Sequence, residues 1–203
     1  EDADSNLWIG TDGGLNKFDR KKGEFTRYQN IADDPQSLNN DFVWSVIEDS
    51  EGNLWVGTDG GGLNKFNKNK GTFTHYTNNP NDPGSLSNNI IYCLFEDSRG
   101  DLWIGTSGGG INKLDKEKGE FTRYQKELNN PFSLSNNIVL TIFEDSRGNL
   151  WIGTGGGLNQ VISDSVSNEK EILKFTHYVE KDGLPNDVIY GILEDSKGHL
   201  WIS

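Results

Sequence analysis

The sequence predicts an all-β fold, a β-propeller built from four-stranded antiparallel blades, and three observations carry that expectation. Trp8, Trp55, Trp103, Trp151 and Trp201 recur at intervals of 47, 48, 48 and 50 residues. The text around them recurs too, as EDADSNLWIG, EDSEGNLWVG, EDSRGDLWIG, EDSRGNLWIG and EDSKGHLWIS. Between these landmarks lie short runs rich in Val, Ile, Phe, Thr and Tyr, bounded by Gly, Asn, Asp and Ser, which is the pattern of strands and turns. Four such strands per unit, repeated at even spacing, is the sequence cue for propeller blades.

Each element follows in order. Strand a, Val43–Glu48 in the second unit, is apolar on both faces, as are Ile91, Leu94 and Phe95, then Val139, Ile142 and Phe143, then Ile189, Ile192 and Leu193. A strand enclosed on both sides reads this way, so a is expected innermost. A small residue, Ser45, Cys93, Thr141 or Gly191, stands at its middle and fits crowding near an axis. In the Asp49-Ser50-Glu51-Gly52 turn, Asp accepts backbone N–H groups and Gly supplies positive φ. Strand b (Leu54–Thr58), a glycine step, strand c (62–67), a Lys70-Gly71 turn and strand d (72–77) complete the blade, with polar d as its outer edge. The blade parts are 1–30, 42–78, 90–126, 138–180 and 188–203 of one unit spanning 1–203. In the fourth, an insertion at 163–174 lengthens the c–d turn.

Counting the 25 glycines as apolar lifts the 33% hydrophobic fraction to about 45%, within reach of ordinary globular chains. A net charge of −12 disfavours nucleic acid and anionic membranes as partners. No apolar run approaches a spanning helix, so direct membrane insertion is not expected. The chain contains no Met, even at position 1, and is expected to be processed or cut from something longer. Its lone Cys93 excludes an internal disulfide framework.

The string (V/I)xx(I/F)EDSxGNLWIGTxGGGLNKF, at 42–66, 90–114, 138–161 and truncated at 188–203, resembles the two-component regulator propeller repeat. That repeat occurs in the periplasmic sensor region of hybrid histidine kinases, many of which regulate polysaccharide use. Ser5 stands where the turn glycine belongs, and Ser203 stands where Gly57, Gly105 and Gly153 stand elsewhere. The resemblance implies a seven-bladed propeller in the periplasmic or extracellular part of a membrane-anchored bacterial protein. It also implies a signalling role without turnover, with the remaining blades and downstream signalling domains as partners. Three arrangements stay open: a segment of a larger propeller, a four-bladed ring, and a homo-oligomeric eight-bladed ring of two chains. The segment is favoured, because residues 1–10 and 194–203 are the same segment twice and ring closure by strand 188–194 leaves 197–203 without a slot.

The chemistry of the motifs is structural. Gly60–Gly62, Gly108–Gly110 and Gly155–Gly157 precede strands, whereas phosphate sites need a helix after the glycines. EDSxGxLW departs from the sialidase Asp box in spacing. His75, His177 and His199 read as exposed surface residues, and no metal-ligand spacing accompanies them. Glu48-Asp49, Glu96-Asp97, Glu144-Asp145 and Glu194-Asp195 are adjacent on strands and point to opposite faces, although carboxylates of different blades can meet. No catalytic residue, metal ligand or cofactor is therefore expected.

Binding is the better candidate. The long polar linkers before strand a, such as NNPNDPGSLSNN, should share a face with the b–c glycine steps around the central opening. The expected ligand residues are Trp44, Tyr92 and Tyr190 with Asn40, Asn88, Asn89, Asn136, Asn137 and Asp187, and Leu140 takes the aromatic position in the fourth unit. Rings and amides together suit an oligosaccharide. A packing role for Trp44 and Tyr92 competes with that expectation, alongside linkers stapled by Leu38, Leu86 and Leu134. The competing functions are a propeller enzyme acting on polysaccharide, a lyase or glycoside hydrolase, and a purely structural interaction scaffold.

Overall fold

The computed structural model describes residues 1–163 and 173–203. Residues 164–172 of the expected insertion lie outside the described residues. The first sheet joins β1 (Leu7–Thr11), β2 (Gly14–Asp19) and β3 (Glu24–Tyr28). Three four-stranded sheets follow in meander order. They are β4 (Val43–Glu48) to β7 (Thr72–Tyr76) through β5 (Leu54–Thr58) and β6 (Leu63–Asn67); β8 (Ile91–Glu96) to β11 (Glu120–Tyr124) through β9 (Leu102–Thr106) and β10 (Ile111–Asp115); and β12 (Val139–Glu144) to β15 (Leu173–Tyr178) through β13 (Leu150–Thr154) and β14 (Gly157–Ser163). A last hairpin, β16 (Ile192–Glu194) with β17 (Leu200–Ile202), ends the chain. All pairs are antiparallel. The turns explain this accuracy of the expected strands: Gly52, Gly100, Gly148 and Gly198 all have φ near +80°, and Ser5 takes φ 67° at the same position.

The a strands of successive blades, β4, β8, β12 and β16, lie against one another, and the d strands do not. Strand a is thus innermost, but it is not the most enclosed. Every residue of β5 and β9 is buried, while β4 beyond Val43 is half-buried or exposed. Strand b lies between two strands of its own sheet and under a neighbouring blade, whereas one edge of a faces the axis.

Blades join through cores of mixed origin. Leu15 of the first blade, Leu38 of the linker, and Val43, Leu54, Val56, Phe66 and Phe73 of the second form one cluster. Trp55, Leu63, Leu86, Ile91, Ile104 and Phe121 form the next, and Trp103, Ile111, Leu134, Val139, Ile152 and Phe175 the third. The LWIG glycine allows the blades this close: a Cβ on Gly57 would lie 2.5 Å from Ile91 Cγ2, and one on Gly10 2.6 Å from Val43 Cγ1. Opposite these glycines stand the small residues of strand a, in the pairs Ser45–Gly57, Cys93–Gly105 and Thr141–Gly153.

Each linker also runs back along the outer edge of the blade it introduces. The N–H groups of Phe73, Phe121 and Phe175 donate to Gln36 O (2.8 Å), Gly84 O (2.7 Å) and Phe132 O (2.9 Å). Edge strands that template aggregation are covered in this way. His75 Nε2 meets Ser37 O at 2.8 Å, Arg123 Nε donates to Ser85 O at 2.9 Å, and His177 Nε2 meets Ser133 O at 2.5 Å. His75 and His177 are thus half-buried linker clamps, a correction to their expected exposure. Leu38, Leu86 and Leu134 are buried, as the staple expectation requires.

The first and last sheets are not paired with each other: β16 pairs with β17, and β1 with β2. The four-bladed closure through strand 188–194 is not made. Regular strand starts only at Ile192, because the N–H groups of Tyr190 and Gly191 both donate to Ser203 O.

Candidate functional site

The repeated EDSxG turn is a fastening. Asp49 Oδ1 accepts from the N–H groups of Glu51 (3.1 Å) and Asn53 (2.8 Å), and Oδ2 accepts from Trp55 Nε1 at 2.8 Å. Asp97 with Trp103 and Asp145 with Trp151 repeat the bond at 2.9 Å. Burial pushes the Asp49 carboxyl up, but these donors and the Lys116 ammonium outweigh it and hold it below the usual range. The same balance, with Trp8 and Asn6 as donors and the charge of Lys68 nearby, brings Asp2 to about 2.

The neighbouring glutamate reaches across to the preceding blade. Glu96 accepts from Ser50 N (2.6 Å) and Ser50 Oγ (3.0 Å), Glu144 from Ser98 N (2.7 Å) and Oγ (2.8 Å), and Glu194 from Ser146 N and Oγ, both at 2.7 Å. Lys116 Nζ then lies 2.8 Å from Glu96 Oε1 and 3.1 Å from Asp49 Oδ2. Carboxylates of different blades do meet, around a lysine. The shared ammonium bridges the carboxylates of two blades and so joins them. Sequence adjacency concealed these latches because each spans 46 to 48 residues; the signal was the Ser and Glu recurring together. Burial pushes the Cys93 thiol up to about 12, the opposite of what a nucleophile needs.

The linker and glycine step do share a face. Gly60 and Gly62 N–H groups donate to Asn89 O (3.1 and 2.9 Å), and Gly108 and Gly110 to Asn137 O (3.0 and 2.9 Å). The polar candidate residues are engaged in holding this face together. Asn40, Asn88 and Asn136 each accept through Oδ1, at 2.8 Å, the N–H two residues on, at Phe42, Ile90 and Ile138. Asn89 and Asn137 accept from Asn78 and Lys126 N–H at 2.6 Å, and Asp187 from Glu180 N–H at 2.7 Å. Asn88 Nδ2 also donates to Ser107 O at 2.8 Å.

The aromatic candidates are placed by bulges. The ladder pairs Val43 with Thr58 and next Ser45 with Gly57, so Trp44 is left out of register; Tyr92 and Leu140 are displaced the same way. A bulge re-aims one side chain. Trp44 is 49% exposed and meets Tyr92 of the next blade at 5.5 Å between centroids, with planes at 88°. Phe42, which the sequence reasoning missed, packs on Trp44 at 4.8 Å and 43°. Its signal was an apolar residue just before strand a in each unit: Phe42, Ile90, Ile138 and Val188. Tyr190 is 71% exposed and lies two blades beyond Tyr92, with half-buried Leu140 on the blade between. The structure thus joins Phe42, Trp44 and Tyr92 into one corner on the linker-side inner rim, and leaves Tyr190 apart from it.

Successive antiparallel blades with a strands inward and tryptophan-anchored turns define a β-propeller repeat protein. Four stretches of the chain, residues 37–60, 85–108, 133–156 and 183–203, match the two-component regulator propeller repeat family. No curated protein matches the chain. Among solved structures, it is similar to the extracellular domain of a hybrid two component system from B. thetaiotaomicron, at 24% identity and TM-score 0.67 over 98% of this chain and 31% of that one. A second such domain from B. thetaiotaomicron is 24% identical, with TM-score 0.65 over 99% and 33%. Virginiamycin B lyase from Staphylococcus aureus is 19% identical, with TM-score 0.67 over 98% and 60%. The chain spans about a third of the length of the two extracellular domains. At these identities the likeness is one of fold.

Proposed function

We propose that the chain is a non-catalytic, ligand-sensing propeller in the periplasmic or extracellular part of a two-component signalling protein, and that it recognises an oligosaccharide at its inner rim or transmits its binding. The observation that carries this reading is the corner of Phe42, Trp44 and Tyr92. Bulges turn Trp44 and Tyr92 out of the ladder, and Trp44 leaves half its surface to solvent. Apolar C–H faces of sugar rings stack on such rings, and ligand sites commonly pair aromatic walls with a few placed polar groups. Asn40 and Asn136 accept through Oδ1 and keep amide N–H groups for sugar hydroxyls. Tyr190 would extend the site along the rim. Similarity to extracellular domains supports the location, and no helix among the described residues is long and apolar enough to cross a membrane. In this reading the partners are the remaining blades and the downstream signalling domains of a parent protein.

The lyase likeness favours one rival, a propeller enzyme. Against it, His75 and His177 sit on outer strands and His199 in a hairpin turn beside Asp195, away from the rim. A screen of oligosaccharides by glycan array and calorimetry, with a parallel assay for polysaccharide cleavage, separates the readings. Saturable binding without cleavage supports the sensor, product release supports the enzyme, and neither supports an interaction scaffold.

A further inference from the structure

On the face opposite the rim, at its a–b and c–d turns, the second blade carries an open groove of about 600 Å³ whose lining includes Asn53, Lys65, Asn67, Asn69, Thr74 and Tyr76. The third blade repeats the groove at about 460 Å³, with Asp101, Lys113, Asp115, Glu117, Thr122 and Tyr124 at the matching positions. The two lysines are placed alike: Lys65 Nζ stands 5.1 Å from the Trp55 ring centroid and Lys113 Nζ 5.4 Å from that of Trp103. Their surroundings differ in charge. Lys113 pairs with Asp101 at 2.7 Å and Lys118 with Asp115 at 2.9 Å, whereas Asn53, Asn67 and Asn69 put amides where the third blade has three carboxylates. The Lys65 ammonium makes no ion pair or hydrogen bond with any described residue. In the first blade the position of Asn67 keeps a carboxylate, Asp19, paired with Lys22 at 3.3 Å. In the fourth, Gln160 replaces the lysine and accepts from the Tyr178 O–H at 3.4 Å.

We propose that the groove of the second blade binds a carboxylate-bearing sugar, a hexuronate residue, with the Lys65 ammonium as its counter-charge. The groove is rich in donors. Asn67 Oδ1 is taken by the N–H groups of Asn69 (3.1 Å) and Lys70 (3.0 Å), which leaves its amide N–H groups to donate beside the Asn69 amide and the Thr74 and Tyr76 hydroxyls. Such a surface suits a group that only accepts, and an ionised carboxylate is one. The ligand should carry a single charge. Lys68 is spent on Glu48 at 2.8 Å, and Lys116 on Glu96 and Asp49 at 2.8 and 3.1 Å, so Lys65 alone is left to meet it among the described lysines around the groove. Glu51 of the adjoining turn, held by Asn53 Nδ2 at 3.2 Å, opposes a second negative charge, which disfavours a phosphate dianion. Asn53 Nδ2 also donates to Asp49, and its Oδ1 remains to accept from a sugar hydroxyl. Small-ligand sites span about 300–1,000 Å³, so the groove admits one or two sugar rings. It lies on the other face from Trp44 and Tyr92 and does not depend on them.

The test is an amide NMR titration of the 203-residue chain with methyl glucuronoside, methyl glucoside and glucose 6-phosphate. The expected result is saturable shifts at Gly52, Asn53, Asn69, Thr74 and Tyr76 with the glucuronoside, and binding of the neutral glucoside weaker by roughly tenfold or more. Lys65→Gln should weaken glucuronoside binding by a similar factor. So should Asn53→Asp, which gives Lys65 the carboxylate that Asp101 gives Lys113. Both substitutions copy residues that other blades carry at the same position, Gln160 and Asp101, so the melting temperature should hold. Equal affinity for the two glycosides, affinity unchanged in K65Q, shifts confined to the rim around Trp44 and Tyr92, or no saturable shift would each overturn the proposal. Tighter binding of glucose 6-phosphate than of the glucuronoside would overturn it in favour of a phosphate site.

Discussion

Replacing Trp55 by Phe should destabilise the protein far more than the same change at Trp201, although both indoles make the same bond. Trp55 is 1% exposed and donates at 2.8 Å to Asp49, which is itself 4% exposed; Trp201 is 63% exposed and donates at 3.2 Å to Asp195. Removing the donor inside the protein leaves an ionised carboxylate short of one charge-assisted hydrogen bond, which costs about 1.5–3 kcal/mol. The smaller ring adds a gap beside Tyr76, whose centroid lies 5.9 Å away, worth about another 1 kcal/mol. The sum, about 2.5–4 kcal/mol, lowers the melting temperature by roughly 5–15 °C in a chain of this length. At Trp201 water replaces the lost bond, and the change stays within about 0.5 kcal/mol. Urea and thermal unfolding of W55F, W103F and W201F, followed by circular dichroism, give the comparison. W103F should match W55F. Losses equal at all three positions would refute the argument that burial, rather than the bond itself, sets the value of this turn.

Three further outcomes follow from the same geometry. Gly57→Ala should cost about 1–3 kcal/mol by overpacking against Ile91, measured by denaturant midpoint, and an unchanged midpoint would mean the blades are not in contact there. Ser5→Gly should stabilise by about 1 kcal/mol, because Ser5 holds φ 67° at the turn position where later units carry glycine; no rise in melting temperature would count against that strain. The carboxylates Asp2, Asp49 and Asp145 have folded-state pKa values below their unfolded ones, so their stabilisation is present above about pH 4 and is lost as pH falls through the folded values, about 2 for Asp2. Thermal scans should show a plateau above that range and a decline between about pH 4 and 2; a flat profile to pH 2 would contradict the assignment.

The strands were legible almost to the residue because their ends are chemical. Asp49 and Gly52 close one hairpin and Lys70-Gly71 another, and each motif recurs. The linkers' covering of the outer edge was not legible, since the bond from Phe73 N–H to Gln36 O joins residues 37 apart through main-chain groups that any sequence carries. The latches of Glu96 to Ser50 escaped for the same reason, and so did the pairing of His75 with a linker carbonyl. At the rim, aromatic positions 44 and 92 were visible as residues, but the bulges that turn them outward are a property of register. The asparagines were chosen for their amides, and most of their oxygens hold the loop that carries them.

The central claim is that the corner of Trp44 and Tyr92 is a ligand surface rather than packing between blades. Its most direct measurement is paired: oligosaccharide affinity by calorimetry and melting temperature, on the same preparations of W44A and Y92A. The account predicts at least a tenfold loss of affinity in each, with W44A melting within a few degrees of the parent because half the ring is already in water. Unchanged affinity with a melting temperature lowered as far as in W55F would contradict it and leave these rings as core.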